Sequence, residues 1–150
     1  MNATTATATA TTAAANAELT DASRAVVLAY MQTLTSGDLD ALRPYFAPGV
    51  TWHMVGELPI SGTWTGADEI LDVFIPRMIS HLHPETLEFS FDGLLSEGER
   101  VLAEWNTRAV ARAGGQYDQH CLAIFTVRDG LITEVHEYFD TLHAKTVVFA

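Results

Sequence analysis

The feature that most constrains the fold is a set of alternating polar and apolar runs in the second half of the chain. Two short turns, Ala113-Gly114-Gly115 and Asp129-Gly130, separate these runs. Gly-containing turns between alternating runs are typical of β-hairpins. We therefore predict four strands that form an antiparallel meander, at about residues 86–95, 100–112, 116–128 and 131–141.

The first half of the chain predicts helices. Four apolar residues recur with the i, i+3, i+4, i+7 spacing of an amphipathic helix, namely Val27, Tyr30, Met31 and Leu34. This helix is predicted to begin near residue 20 and to end at Ser36-Gly37. Shorter helices are predicted at about 38–46 and 67–80, with a strand at about 50–55 between them.

Helices followed by an antiparallel meander predict an α+β domain in which the helices pack on one face of the sheet. Pro76 is expected to kink the helix over 67–80, because proline has no backbone N–H to donate. The first 17 residues are almost entirely Ala, Thr and Asn, without Lys, Arg or a run of large apolar residues. We therefore expect a disordered tail over residues 1–18 rather than a signal or transit peptide, and a single domain over residues 19–150.

The charge balance excludes some partners. The chain has 19 acidic and 8 basic residues, for a formal charge of −11. Such a surface repels phosphate backbones and anionic lipids, so we expect neither nucleic-acid nor membrane binding. Cys121 is the only cysteine, which fits a reducing compartment and predicts a cytoplasmic protein.

Residues 134–140, EVHEYFD, carry the main candidate for chemistry. Side chains alternate across a strand, and the odd positions of the last predicted strand are mostly apolar. This alternation places Glu137 on the interior face, whereas Glu134, His136 and Asp140 face outward. A carboxylate in an apolar pocket has a pKa raised towards neutrality, which suits general acid–base catalysis. The alternatives are a solvated sheet edge or an ion pair with an arginine, such as Arg24, Arg77 or Arg108.

The same alternation in the other strands predicts which residues surround Glu137. Trp52 and Trp105 face inward, and each offers an indole N–H as a hydrogen-bond donor. The predicted pocket wall is otherwise apolar or weakly polar, and it consists of Met31, Leu34, Met54, Thr107, Cys121 and Phe139. His53 is predicted to face outward on a short strand and is a second-rank catalytic candidate.

No metal or cofactor is predicted. His81 and His83 could bind a metal ion, but the sequence shows no clear third ligand near them. A Gly-rich phosphate-binding loop is not found. His120 and His136 are expected to meet on the outer face of neighbouring strands, in a structural or dimer-interface role.

Three segments resemble the SnoaL-like branch of the NTF2-like superfamily: VVLAYMQTLTSGDLDALRPYF, VTWHMVGELPISGTWTGADEIL and IFTVRDGLITEVHEYFDT. The resemblance spans about residues 20–143. It implies a cone-shaped α+β barrel, with a curved antiparallel sheet and N-terminal helices enclosing an apolar pocket, and a homodimer. The branch includes polyketide cyclases, relatives of ketosteroid isomerase and limonene-epoxide hydrolase.

The resemblance also bears on Glu137, which matches the second aspartate of limonene-epoxide hydrolase. The other residues of that water-activating set are replaced, since Trp105 and Thr107 stand for its Arg and Asp, and Trp52 and Met54 stand for its Tyr and Asn. A strand register shifted by one residue would instead place Glu104 and Asn106 at the Arg and Asp positions.

Three functions follow as hypotheses. The first is a cofactor-free isomerase or cyclase on a small apolar molecule, with Glu137 as general acid or base and an indole N–H as donor to the substrate oxygen. The second is an epoxide hydrolase with an altered water site. The third is a module that binds an apolar ligand without catalysis.

Overall fold

A computed structural model of the chain describes residues 3–150. The first helix, α1, spans Ala3–Thr35 and is followed by a 3-10 helix over Asp40–Tyr45. Six strands form one curved sheet in the order β2-β1-β6-β5-β4-β3. Their bounds are Phe46–Met54 for β1, Gly62–Thr65 for β2, Glu88–Glu97 for β3, Arg100–Val110 for β4, Gln116–Arg128 for β5 and Leu131–Tyr138 for β6.

The predicted meander is present in strands β3 to β6, each of which pairs antiparallel with the next. The turn between β5 and β6 is the predicted Asp129-Gly130 turn, and Arg128 pairs with Leu131 across it. Asp129 has φ 51° and Gly130 has φ 76°. Positive φ at both central residues is the geometry of a type I′ turn, which explains why Asp-Gly occurs there.

The predicted α+β architecture is confirmed, but the sheet is mixed and unclosed rather than a wholly antiparallel barrel. β1 lies parallel to β6 and antiparallel to β2. The segment over 56–65, which carries no alternating run, contains the short strand β2. No local turn joins β1 to β6, so the sequence around them does not encode the direction of this pairing.

The start of α1 differs from the predicted tail over residues 1–18, because residues 3–18 are helical. Alanine, the commonest residue of this segment, has the highest helix propensity, and the Thr11 hydroxyl is accommodated in the helix by donating to Thr7 O at 2.9 Å. Residues 9–19 are exposed, so helix propensity rather than packing against the sheet accounts for this part of α1. Residues 1 and 2 of the predicted tail lie outside the described residues, and a domain boundary near residue 18 stays a prediction.

The predicted helix over 67–80 is interrupted. It consists of α2 (Ala67–Glu69), a π-helical segment (Ile70–Phe74) and α3 (Ile75–Ile79). Pro76 is the second residue after the π-helical segment, so the expected irregularity lies about one turn before the proline. A short helix that was not predicted, α4, spans Thr141–Val147, and the Asp140 side chain caps it by accepting from His143 N at 3.0 Å.

The core lies between the helices and the concave face of the sheet. The predicted alternation holds through β4, where Val101, Ala103, Trp105, Thr107 and Ala109 are all buried. It fails at Ile132, which is buried although it is an even position of the last strand, and the alternation assigns the even positions Glu134, His136 and Asp140 to the outer face. The reason is a register shift at Thr126/Val127 in the β5–β6 pairing, which reverses the faces before Glu134.

No helix of the described residues is long and apolar enough to span a bilayer.

Candidate functional site

Glu137 lies on β6 and faces the interior, with only 6% of its surface exposed. Its Oε2 accepts a hydrogen bond from Trp52 Nε1 on the neighbouring strand β1 at 3.0 Å. This bond depends on the parallel pairing of the two strands, in which Met54 lies opposite Glu137 and Trp52 opposite Val135. One indole N–H is therefore the hydrogen-bond partner of a buried carboxyl group.

The ion-pair alternative for Glu137 is wrong, because each of the three candidate arginines contacts another group. Arg24 donates to Leu94 O at 3.0 Å. Arg77 lies over the Trp64 ring, and Arg108 pairs with Asp118. Among the described residues, Glu137 makes no salt bridge.

Glu137 lines a cavity of about 70 Å³ between the sheet, α1 and the helical segments over 70–79. Among the described residues that form the wall, it is the only charged one. The other lining residues are Tyr30, Leu34, Trp52, Phe74, Ile75, Met78, Ile79, Leu82, Leu87, Phe89, Trp105, Thr107 and Cys121. The polar atoms available to a bound molecule therefore come from one carboxyl group and a few neutral donors.

Burial raises the pKa of Glu137 to about 7, and the hydrogen bond from Trp52 opposes this shift only in part. Removal from water penalises the charged form of a carboxyl group, whereas a donated hydrogen bond favours it. Near neutral pH, Glu137 can therefore either accept or give up a proton.

Two other cavity residues, Tyr30 and Cys121, stay protonated. Burial raises the pKa of each side chain, and the negative charge of Glu137 adds to the effect. The Cys121 thiol lies 3.9 Å from the Thr107 hydroxyl. A thiol held in this form is a poor nucleophile, whereas the phenol of Tyr30 can serve as a hydrogen-bond donor.

Six of the predicted residues line the cavity: Glu137, Trp52, Trp105, Leu34, Thr107 and Cys121. Met31 and Met54 are buried but contribute to the core instead. Met31 follows Tyr30 in α1, so it points about 100° away around the helix axis. Phe139 lies beyond the end of β6, where the alternation no longer applies, and it is only partly buried.

Sequence reasoning missed eight lining residues. Tyr30 belongs to the apolar stripe of the first predicted helix. Phe74, Ile75 and Met78 recur at helical spacing in the predicted helix over 67–80, so the pattern marked the correct helix faces without identifying a cavity. Ile79 and Leu82 lie at a helix end and in the following loop, where no periodic signal marks them. Leu87 and Phe89 belong to the alternating run of the predicted strand over 86–95, whose inward face was not assigned from the sequence.

His53 lies on the outer face of the sheet, so the structure separates it from the cavity. Its ring stacks on His136, with centroids 4.2 Å apart. Both histidines contact Glu134 Oε1 through Nε2, each at 3.2 Å. His136 does not meet His120 as predicted, because His120 lies beside Glu104, with 3.3 Å between Nε2 and Oε2.

Comparison with known proteins identifies relatives of this architecture. The family model described as a SnoaL-like domain matches residues 27–135. No curated protein matches the chain.

Solved structures share the fold at low sequence identity. An NTF2-like protein from Burkholderia thailandensis E264 has a TM-score of 0.76 and 22% identity, over 83% of this chain and 95% of that one. A protein described as a SnoaL-like polyketide cyclase from Jannaschia sp. CCS1 has a TM-score of 0.71 and 19% identity, over 88% and 94%. TerC, co-crystallised with polyporic acid, has a TM-score of 0.74 and 19% identity, over 86% and 99%.

Proposed function

The chain belongs to the SnoaL-like domain family, and from this premise we propose that it is a cofactor-independent enzyme that transfers a proton on a small apolar carbonyl compound. The reaction class is isomerisation or cyclisation, with Glu137 as the general acid or base. The observation that carries the proposal is the position of Glu137, which is the only charged group that residues 3–150 contribute to the wall of an apolar cavity. The fold likeness to a SnoaL-like polyketide cyclase agrees with this class.

The chemistry needs a base and a donor. The carboxylate of Glu137 removes a proton from the carbon next to the carbonyl group, and the negative charge moves to the carbonyl oxygen. Trp105 and Tyr30 line the cavity and are the candidate donors to that oxygen. Trp52 is less suited to this role than the sequence suggested, since its N–H already donates to Glu137. In isomerisation the protonated Glu137 then returns the proton to another carbon. In cyclisation the carbanion attacks a second carbonyl group, whose C=O π bond opens, and Glu137 gives its proton to the resulting alkoxide.

The epoxide-hydrolase alternative has less support from the cavity. Activation of water for attack on an epoxide requires charged or polar groups that hold the water molecule and protonate the leaving oxygen. In the part of the chain that the structure describes, no arginine, aspartate or asparagine lines the cavity. Glu104 and Asn106 belong to the other face of β4, where Asn106 donates to Asp92 at 2.7 Å.

The size of the cavity limits the substrate. Its volume of about 70 Å³ is roughly half of the 150 Å³ of an engineered apolar cavity that binds benzene. A substrate with one ring therefore enters only when the wall moves outward. The helical segments over 70–79 form much of this wall, and the π-helical turn within them lacks regular α-helical hydrogen bonding.

The test is the conversion of 3-cyclohexen-1-one to the conjugated 2-cyclohexen-1-one, followed by ultraviolet absorbance, with proton exchange in D₂O followed by NMR. Glu137→Gln keeps the shape and the hydrogen bond from Trp52 but cannot take a proton. We expect it to lower the rate by about 10²- to 10⁴-fold. Glu104→Gln, on the outer face of β4, is the matched control and should keep the wild-type rate.

Two results would count against the proposal. A Glu137→Gln variant as active as the wild type would exclude the residue as the acid or base. A wild-type protein that binds 3-cyclohexen-1-one, with neither isomerisation nor exchange above the buffer rate, would favour the binding module.

A further inference from the structure

We propose that His53, Glu134 and His136 form a binding site for one divalent transition-metal ion on the outer face of the sheet. The site is separate from the cavity, because neighbouring residues of a strand point to opposite faces. His53 follows Trp52 on β1, and His136 precedes Glu137 on β6. The two groups of residues therefore share two strands but face opposite sides of the sheet.

The distances fit a tetrahedral metal ion. Each histidine Nε2 lies 3.2 Å from Glu134 Oε1, and the three ligand atoms all lie within 4.8 Å of one another. In a tetrahedral zinc site with bonds of 2.0–2.2 Å, neighbouring ligand atoms are about 3.3 Å apart. Two of the three distances, at 3.2 Å, are close to this value. The imidazoles, stacked with an angle of 21° between their planes, need only to tilt until their Nε2 atoms point to a common centre.

The backbone holds the three residues in this arrangement. His53 lies opposite His136 and Thr51 opposite Glu134 in the parallel pairing of β1 with β6. Each of these strands has a neighbour on both sides, so neither is a free edge. Ligands that project from paired strands of a sheet are held more precisely than ligands on loops.

The hydrogen bonds indicate how the site exchanges protons for a metal ion. An ionised carboxylate can only accept, so both Nε2 atoms donate to Glu134 when no metal ion is bound. A metal ion takes the place of these shared protons and requires Nε2 lone pairs. The Nδ1 atom of His53 lies 2.9 Å from the Thr63 hydroxyl, which can then accept from Nδ1–H. Such a partner on the second ring nitrogen fixes the tautomer of many metal-binding histidines.

The donor set and exposure indicate the class of ion. Two imidazoles and one carboxylate suit zinc, cobalt, nickel or ferrous iron better than calcium or magnesium. The side chains of His53, Glu134 and His136 are 31%, 43% and 39% exposed, so water can complete the coordination. The formal charge of −11 also favours cations near the surface.

The experiment is a titration of the full-length chain, without a histidine tag, with zinc sulfate by calorimetry and with cobalt(II) by visible absorption. We expect one ion per chain and, for cobalt, the strong absorption of a tetrahedral site. His136→Ala and Glu134→Gln should each weaken binding at least about tenfold. His120→Ala is the matched control, since it removes an outer-face histidine that also lies beside a carboxylate, and it should bind like the wild type.

Circular dichroism of each variant shows whether the fold is kept. As a second measurement, NMR spectra of the wild type follow the ring nitrogens of the histidines during the zinc titration. Zinc should shift the Nε2 resonances of His53 and His136 and leave that of His120 unchanged. The absence of saturable binding below about 100 µM metal ion, which corresponds to less than about 5.5 kcal/mol of binding free energy, would overturn the proposal. Equal weakening in the His120→Ala control would also overturn it.

Discussion

Glu134 and Glu137 lie three residues apart on the same strand and have opposite environments. Burial raises the pKa of Glu137 to about 7. Hydrogen bonds from His136 and from His53 lower the pKa of Glu134, with His136 contributing the larger part. The two glutamates of β6 therefore have pKa values shifted in opposite directions, because one faces an apolar cavity and the other faces a pair of imidazoles on the solvent side.

The difference shows what determines the role of an acid in this fold. Glu137 accepts one hydrogen bond and otherwise borders apolar groups, so it can exist in either protonation state near neutral pH. Glu134 has two nitrogen donors and partial access to water, so it remains charged. The first arrangement suits proton transfer, and the second suits the binding of a cation.

The largest effect that should distinguish the two glutamates is the pH dependence of the free energy of unfolding that arises from Glu137. Its pKa in the folded chain, about 7, lies above the ordinary value of 4.5. Between these pH values the folded chain keeps a proton that the unfolded chain has lost, so the free energy of unfolding decreases as pH rises. The decrease amounts to about 3 kcal/mol over this range.

Chemical denaturation from pH 4 to pH 8 measures this decrease, and Glu137→Gln should abolish it. The variant should also be more stable than the wild type above pH 7, where the wild type buries a charge. A wild-type curve with the same pH dependence as the variant would mean that Glu137 is solvated or paired.

The next largest expected effect is the loss of catalytic rate when a candidate hydrogen-bond donor of the cavity is removed. Trp105→Phe removes an indole N–H that can bind the developing oxyanion, so the maximal rate should fall about a hundredfold. The pH at which activity appears should stay unchanged, because Trp105 does not bind Glu137. If Trp105→Phe keeps the maximal rate of the wild type, the donor to the substrate oxygen is Tyr30 instead.

Trp52→Phe should change the pH dependence of activity but not the maximal rate. It removes the hydrogen bond that favours the charged form of Glu137, so the pKa of Glu137 should rise further. Activity should then appear at higher pH, with a maximal rate close to that of the wild type. Comparison of the two pH–rate profiles distinguishes a donor to the base from a donor to the substrate. A profile for Trp52→Phe without a shift would contradict the hydrogen bond to Glu137.

The alternation of residues along single strands predicted much of the site. It placed Glu137, Trp52, Trp105 and Cys121 on the interior face because each strand keeps its period of two over the relevant residues. The Asp-Gly turn was predictable because its backbone conformation depends on the residues themselves.

What the sequence did not predict depends on pairing between distant segments. The bond from Trp52 to Glu137 and the meeting of His53 with His136 both require β1 to lie parallel to β6, and no turn between them encodes that register. Ile132 was assigned to the wrong face because a bulge interrupts the alternation. The helix over residues 3–18 was missed because its Ala- and Thr-rich composition was interpreted as low complexity.

The smallest expected effect concerns Glu134. Its pKa is lowered by its histidine partners, so it stabilises the folded chain above the ordinary pKa of a carboxyl group, and this contribution is lost as pH falls. Because the side chain is 43% exposed, solvent screening limits the contribution to less than about 1 kcal/mol. Denaturation of Glu134→Gln at pH 7 should therefore show a small loss of stability, and a loss as large as the effect of Glu137 would contradict the proposed contrast.

The pKa of Glu137 tests the central claim most directly. Carboxyl carbon NMR titration of the wild type, with Glu137→Gln to assign the resonance, gives this value for the folded chain. We predict a pKa of about 7, together with ordinary or lowered values for the acids on the outer face. A pKa at or below the ordinary 4.5 would contradict the buried, unpaired acid on which the proposed reaction depends.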